Sequence, residues 1–133
     1  MLHSVHRLGG IATPANVAYS ASELEHQLKS SGAKVLFTCA AVLDTALQAA
    51  RGAGIPDDKV FLLEMPGYKN KAPFKTVDDL VKLGKSLPDL ELLKWTKGQG
   101  ARQPAFLCYS SGTSGLPVSI ATVRDKQMRL GTD

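Results

Sequence analysis

Residues 34–63 constrain the fold most. Lys34-Val35-Leu36-Phe37-Thr38 is apolar and β-branched enough for a buried strand, and Val60-Phe61-Leu62-Leu63 reads as the next one. Between them Val42, Leu43, Ala46, Leu47 and Ala50 recur at helical spacing until Gly52 and Gly54 stop the run. Strand, helix, strand in this order implies a right-handed crossover and neighbouring parallel strands. The expected fold class is therefore α/β, a parallel sheet flanked by helices.

The flanking segments extend the same alternation. Upstream, Ser22 with Glu25 three residues later reads as a capping box, and Leu24, Leu28 and Ala21 share a helical face that should end near Gly32. Downstream, residues 65–74 turn to Pro, Gly, Lys and Asn and read as a surface loop. Val77 to Leu83 predicts a short helix with Thr76 as N-cap and acids in its first turn, where the helix dipole favours them. Pro88 to Gln103 reads as a linker in which Trp95 packs, and Ala105 to Tyr109 as a strand.

Composition excludes several function classes. With 44% hydrophobic and 21% charged residues the chain has ordinary globular material, so an ordered domain is expected. The net charge of +4 is spread along the chain, and Lys69-Asn70-Lys71 is as near as it comes to a basic run, so no nucleic-acid partner is expected. Cys39 and Cys108 have no paired spacing and are expected as small buried hydrophobes. His3, His6 and His26 match no ligand spacing, which leaves no metal site and makes His3 and His6 a surface pair. No apolar run is long enough to span a membrane and no secretory leader is recognisable, so a cytoplasmic protein is expected.

Chemistry concentrates after the last strand, where an apolar run empties into Ser110-Ser111-Gly112-Thr113-Ser114-Gly115. Ser110, Ser111, Thr113 and Ser114 offer hydroxyl donors, while Gly112 and Gly115 permit positive φ and let backbone N–H groups turn toward an anion. Such a loop suits a nucleotide triphosphate, placed beyond the carboxyl end of its strand. It is not a Walker loop, which needs a wider glycine spacing and a following Lys. A merely flexible Ser/Gly linker is the alternative that composition leaves open.

Tyr109 to Pro117 resembles the phosphate-binding signature of the adenylate-forming superfamily, Tyr-Ser-Ser-Gly-Thr-Thr/Ser-Gly-Leu-Pro-Lys-Gly/Ala-Val. At the Lys of that signature this chain has Val118, so the loop keeps hydroxyl and amide donors but no fixed positive charge. The segment from Leu8-Gly9-Gly10 through Thr13-Pro14-Ala15-Asn16 to Glu23-Leu24 is similar to a second family segment, as are Gly32-Ala33-Lys34 and Gly54-Ile55-Pro56. The likeness covers residues 5–118 and is strongest to fungal and plant 4-coumarate-CoA ligase-like enzymes.

The resemblance implies a partial N-terminal subdomain of an acyl-CoA synthetase. It implies ATP with Mg²⁺, a carboxylic acid and coenzyme A as ligands of the intact enzyme. There the acid is adenylated and the thiol of coenzyme A then displaces AMP. Thr113 and Ser114, then Ser110 and Ser111, are the implied phosphate contacts, with Gly112 and Gly115 as the permissive backbone. No catalytic residue is assigned, because the family's ribose-binding Asp and mobile-domain Lys have no counterpart in the 133 residues.

Residues 1–117 are accordingly expected to be a partial AMP-binding domain and 118–133 a divergent tail, as a frameshift or retained intron just after Pro117 would leave. A peroxisomal location is open to the whole family, although Leu130-Gly131-Thr132-Asp133 carries no such address. Three readings follow. The chain is a ligase segment that is not competent alone, a non-catalytic nucleotide- or partner-binding remnant, or an interaction module. All three expect self-association through apolar surface that the rest of such a domain would cover.

Overall fold

A computed structural model describes residues 2–67, 73–91, 93, 94 and 96–110, together with a strand at 118–123, with Ser110 and that strand described by backbone alone. The chain divides into two compact units, one of Asn16–Asp89 and one of Met1–Ala15 with Leu90–Asp133.

The unit Asn16–Asp89 is built from helices α2 (Ala21–Ser31), α3 (Leu43–Gly52) and α4 (Val77–Gly84) and strands β1 (Leu36–Cys39) and β2 (Val60–Leu63). Strands β1 and β2 pair in parallel, Leu36 opposite Val60 and Cys39 opposite Leu63, with α3 in the crossover. This is the α/β arrangement expected from the alternation of periods. Val60 and Leu62 are fully buried, and the intervening Phe61 turns to the other face, where it stacks on Phe37 with ring centroids 5.5 Å apart. The strand period of two thus separates a helix-covered face from an aromatic one.

Both long helices end by the same device. Gly32 (φ 63°) and Gly54 (φ 75°) take the left-handed conformation that a Cβ disfavours. The next N–H reaches back in each case, Ala33 to Leu28 O at 3.0 Å and Ile55 to Ala50 O at 2.8 Å, which satisfies a terminal carbonyl and redirects the chain toward a strand. Leu24 and Leu28 of α2 pack with Ala46, Ala49 and Ala50 of α3 and with Ile55 and Val60 in one core cluster. The alanines let the helix backbones approach closely. Gln27 is also buried on α2, a position the apolar periodicity did not mark, whereas Ala21 is only half-buried.

The start of α2 corrects the sequence reading. Ser20, not Ser22, is the N-cap, with extended backbone (φ −66°, ψ 164°). The Glu23 N–H donates to Ser20 Oγ at 3.4 Å and the Ser20 N–H to Glu23 Oε2 at 2.8 Å. Two overlapping Ser-x-x-Glu patterns compete here, and Glu25 is engaged elsewhere: Lys29 Nζ donates to its Oε1 at 2.6 Å, and its carboxylate lies against Gly52. Helix α4 begins as expected at Thr76, in a capping box with Asp79. Just before it, the Leu62 N–H donates to Lys75 O at 2.9 Å, which joins this segment to the free edge of β2.

The second unit contains helices α1 (Leu2–Arg7) and α5 (Gln99–Arg102) and strands β3 (Pro104–Ser110) and β4 (Val118–Val123). Strand β3 lies between two neighbours. On one side it pairs with β4, antiparallel, from Ser110 opposite Val118 to Pro104 opposite Val123. On the other it forms a parallel bridge, Phe106 to Ala12. The antiparallel pair is an addition to the parallel pairing the sequence implied.

Candidate functional site

Of the candidate residues, the structure describes the backbone of Ser110, at the carboxyl end of β3. Ser110 is its last residue and Val118 the first of β4, and the two are direct cross-strand partners. The strand ends therefore bring the two sides of the 111–117 connection together. Ser111, Gly112, Thr113, Ser114 and Gly115 lie outside the described residues, as do the side chain of Ser110, Trp95, Lys69 to Lys71 and residues 124–133.

The described part of the site is the scaffold that holds β3. The Ala12 N–H donates to Ala105 O at 3.0 Å, and the Leu107 N–H donates to Ala12 O at 2.9 Å. Thr13 Oγ1 donates to Leu107 O at 2.9 Å, and His6 Nε2 donates to Ala105 O at 3.1 Å. The His6 ring also meets Phe106 edge-on, with centroids 4.8 Å apart and planes at 87°. His6 is thus a half-buried anchor of the strand and not one of a surface pair with His3, which is exposed. Sequence reasoning missed it because the partner is 99 positions away.

Cys108 also departs from expectation. It is exposed, on the face of β3 opposite the buried Ala105, while Cys39 is half-buried at the end of β1. Exposure depends on what lies over each position of the strand, which the apolar run around Cys108 does not state. Among the described residues no group of three or more His, Cys, Asp or Glu is placed to hold a metal ion.

The donor set fits a polyphosphate. By residue type, hydroxyl and glycine N–H groups are donors suited to phosphate oxygens, and in sequence they follow directly on the end of β3, the end of a strand at which α/β sheets receive ligands. The carboxylates with shifted titration lie elsewhere. Hydrogen bonds from Ser20 hold Glu23 below the usual carboxylate range, hydrogen bonds from Thr76 do the same for Asp79, and Arg51 does so for Asp57. All three are explained by helix caps and a surface ion pair rather than by a ligand site.

The profile of the family described as "AMP-binding enzyme" matches residues 1–120. The chain is 44% identical over 116 residues to acyl-CoA ligase AFT1-1 of Alternaria alternata, covering 85% of this chain and 20% of that protein. It is 35% identical over 119 residues to acyl-CoA ligase cm3C of Cordyceps militaris, covering 84% of this chain and 19% of that one. Among solved structures, the anthranilate CoA ligase AuaEII in complex with anthranoyl-AMP superposes with a TM-score of 0.73 at 21% identity, over 92% of this chain and 22% of that one. A red-emitting luciferase from Phrixothrix hirtus gives the same TM-score at 16% identity, over 92% and 29%. The chain belongs to the AMP-binding family of adenylate-forming enzymes. It spans about 20% of the length of the fungal acyl-CoA ligases it matches.

Among the described residues no helix is long and apolar enough to cross a membrane.

Proposed function

We propose that this chain is the segment of an ATP-dependent acyl-CoA ligase that carries the phosphate-binding loop, and that it does not complete the reaction alone. The observation that carries this reading is the match of residues 1–120 to the AMP-binding family, whose phosphate signature runs from Tyr109 to Pro117 here. In this reading residues 1–117 are the partial AMP-binding domain and 118–133 a divergent tail. Thr113 and Ser114, with Ser110 and Ser111, donate to the β- and γ-phosphates, and Gly112 and Gly115 let the backbone approach. Mg²⁺, when bound with the nucleotide, would offset phosphate charge that no lysine meets at position 118.

The carboxylic acid and coenzyme A belong to the intact enzyme, in specialised metabolism of the 4-coumarate-CoA ligase-like kind. A cytoplasmic location goes with this reading. So does self-association, for which the exposed Val81, Leu83 and Leu87 provide apolar surface.

Calorimetric titration of the chain with Mg·ATP tests the proposal, beside Thr113→Ala and Val118→Lys variants. Weak binding that Thr113→Ala abolishes is expected. Val118→Lys should tighten it roughly tenfold or more, since hydrogen bonds to charged groups contribute roughly 1.5–3 kcal/mol. Heat of binding that ignores both substitutions would overturn the loop assignment.

A further inference from the structure

We infer that Thr13 is a positioning residue for the phosphate-binding end of β3, its hydroxyl replacing a ladder donor that Pro14 lacks. The inference rests on the reading of the loop as a phosphate site.

The parallel pairing beside β3 shows where the donor is missing. With Ala12 opposite Phe106, the Ala12 N–H serves Ala105 O, and Ala12 O receives the Leu107 N–H. In a parallel ladder the next donor, for Leu107 O, is the N–H two residues along, at position 14. That residue is Pro14, which has none. Thr13 Oγ1 donates to Leu107 O instead, at 2.9 Å in a half-buried setting.

Position in the strand gives this bond its consequence. Leu107 lies three residues before Ser110, where β3 ends and the candidate loop begins. The Ala12 N–H and the His6 ring act upstream of it, both on Ala105 O, while the Ala12 carbonyl takes the N–H of Leu107 itself. The Thr13 hydroxyl is thus a tether on the last stretch of β3 from a segment 94 positions away in sequence. A site that binds by fixed donors loses affinity when its backbone drifts, so the tether acts on phosphate affinity without touching phosphate.

The test compares the full chain with Thr13→Val, which keeps shape and removes the hydroxyl, Thr13→Ser, which restores one, and the double variant Thr13→Val/Pro14→Ala, which supplies the N–H that proline lacks. Two quantities are read: Mg·ATP affinity by calorimetry and amide exchange at Leu107 and Tyr109, with Leu62 in the other unit as control. Thr13→Val should weaken affinity about fivefold, the worth of one hydrogen bond, and speed exchange at the end of β3 but not at Leu62. Thr13→Ser and the double variant should restore both.

Faster exchange with unchanged affinity would overturn the positioning role and leave Thr13 structural only. Failure of both hydroxyl and N–H to rescue would overturn it as well. Should the unsubstituted chain bind no Mg·ATP, the phosphate-site reading falls by itself. Exchange then decides the tether: rescue by Thr13→Ser and by the double variant supports it, and unchanged exchange in Thr13→Val refutes it. Should Thr13→Val fail to fold, Thr13→Ser against Thr13→Ala gives the same comparison.

Discussion

The two units are held by contacts of different range. In Asn16–Asp89 the defining interactions are local: a cap three residues from its partner glutamate, helix ends closed five residues back, and a strand-helix-strand crossover whose parts are consecutive. Around β3 they are distant, with His6 and Thr13 reaching across 99 and 94 positions. Local contacts form at little loop-closure entropy, whereas distant ones must first close a long chain segment. The first unit can therefore specify itself piece by piece, while the strand that leads into the candidate site depends on a segment supplied from the opposite end of the sequence.

The sharpest way to break this contrast is through the local core. Leu62→Ala removes a fully buried side chain and should cost about 2–5 kcal/mol, read as a fall in the denaturation midpoint. A cost under 1 kcal/mol would mean that the core does not organise this unit. Gly32→Ala is expected next, at roughly 1–2 kcal/mol. Nothing lies within 4 Å of the added Cβ, so the whole penalty comes from the left-handed backbone at φ 63°. Ser20→Ala should cost about 1 kcal/mol while Ser22→Ala stays near neutral, since only the former removes the cap. Equal effects at the two serines would contradict the observed capping box.

Acid sharpens the same point. Glu23 and Asp79 are held below their ordinary values of 4.5 and 3.8 by hydrogen bonds from Ser20 and Thr76. A carboxyl depressed on folding contributes stability that is present above its unfolded value and lost as pH falls through the folded one. Helix signal should therefore start to weaken below about pH 4. The Ser20→Ala/Thr76→Ala pair should flatten that acid dependence, which circular dichroism against pH would show. The smallest effect expected is Gly52→Ala. Helix propensity favours alanine by about 1 kcal/mol, and the new Cβ displaces the Glu25 carboxylate, whose exposed pair with Lys29 is worth about 0.3–0.5 kcal/mol. A net change within about 1 kcal/mol of zero should follow, and a larger loss would show that Glu25 cannot move aside.

What was legible from residues alone is what short-range physics decides. Strand β2 runs over Val60–Leu63 and the Thr76 cap stands where expected, while β1 begins at Leu36 rather than Lys34. Gly32 and Gly54 end their helices because a left-handed turn excludes a Cβ wherever it occurs. The proposed phosphate loop is likewise a reading of consecutive hydroxyls and glycines, and its residues 111–115 lie outside the described structure. Tertiary structure decided the remainder. The choice of Ser20 over Ser22 turned on Glu25 being engaged with Lys29 and lying against Gly52, a contact between two helices. Burial of Gln27, exposure of Cys108 and the anchoring roles of His6 and Thr13 each depend on which backbone lies opposite. Hydropathy and spacing describe a residue's own segment, and no property of His6 or Thr13 alone states that the carbonyls of Ala105 and Leu107 will arrive beside them.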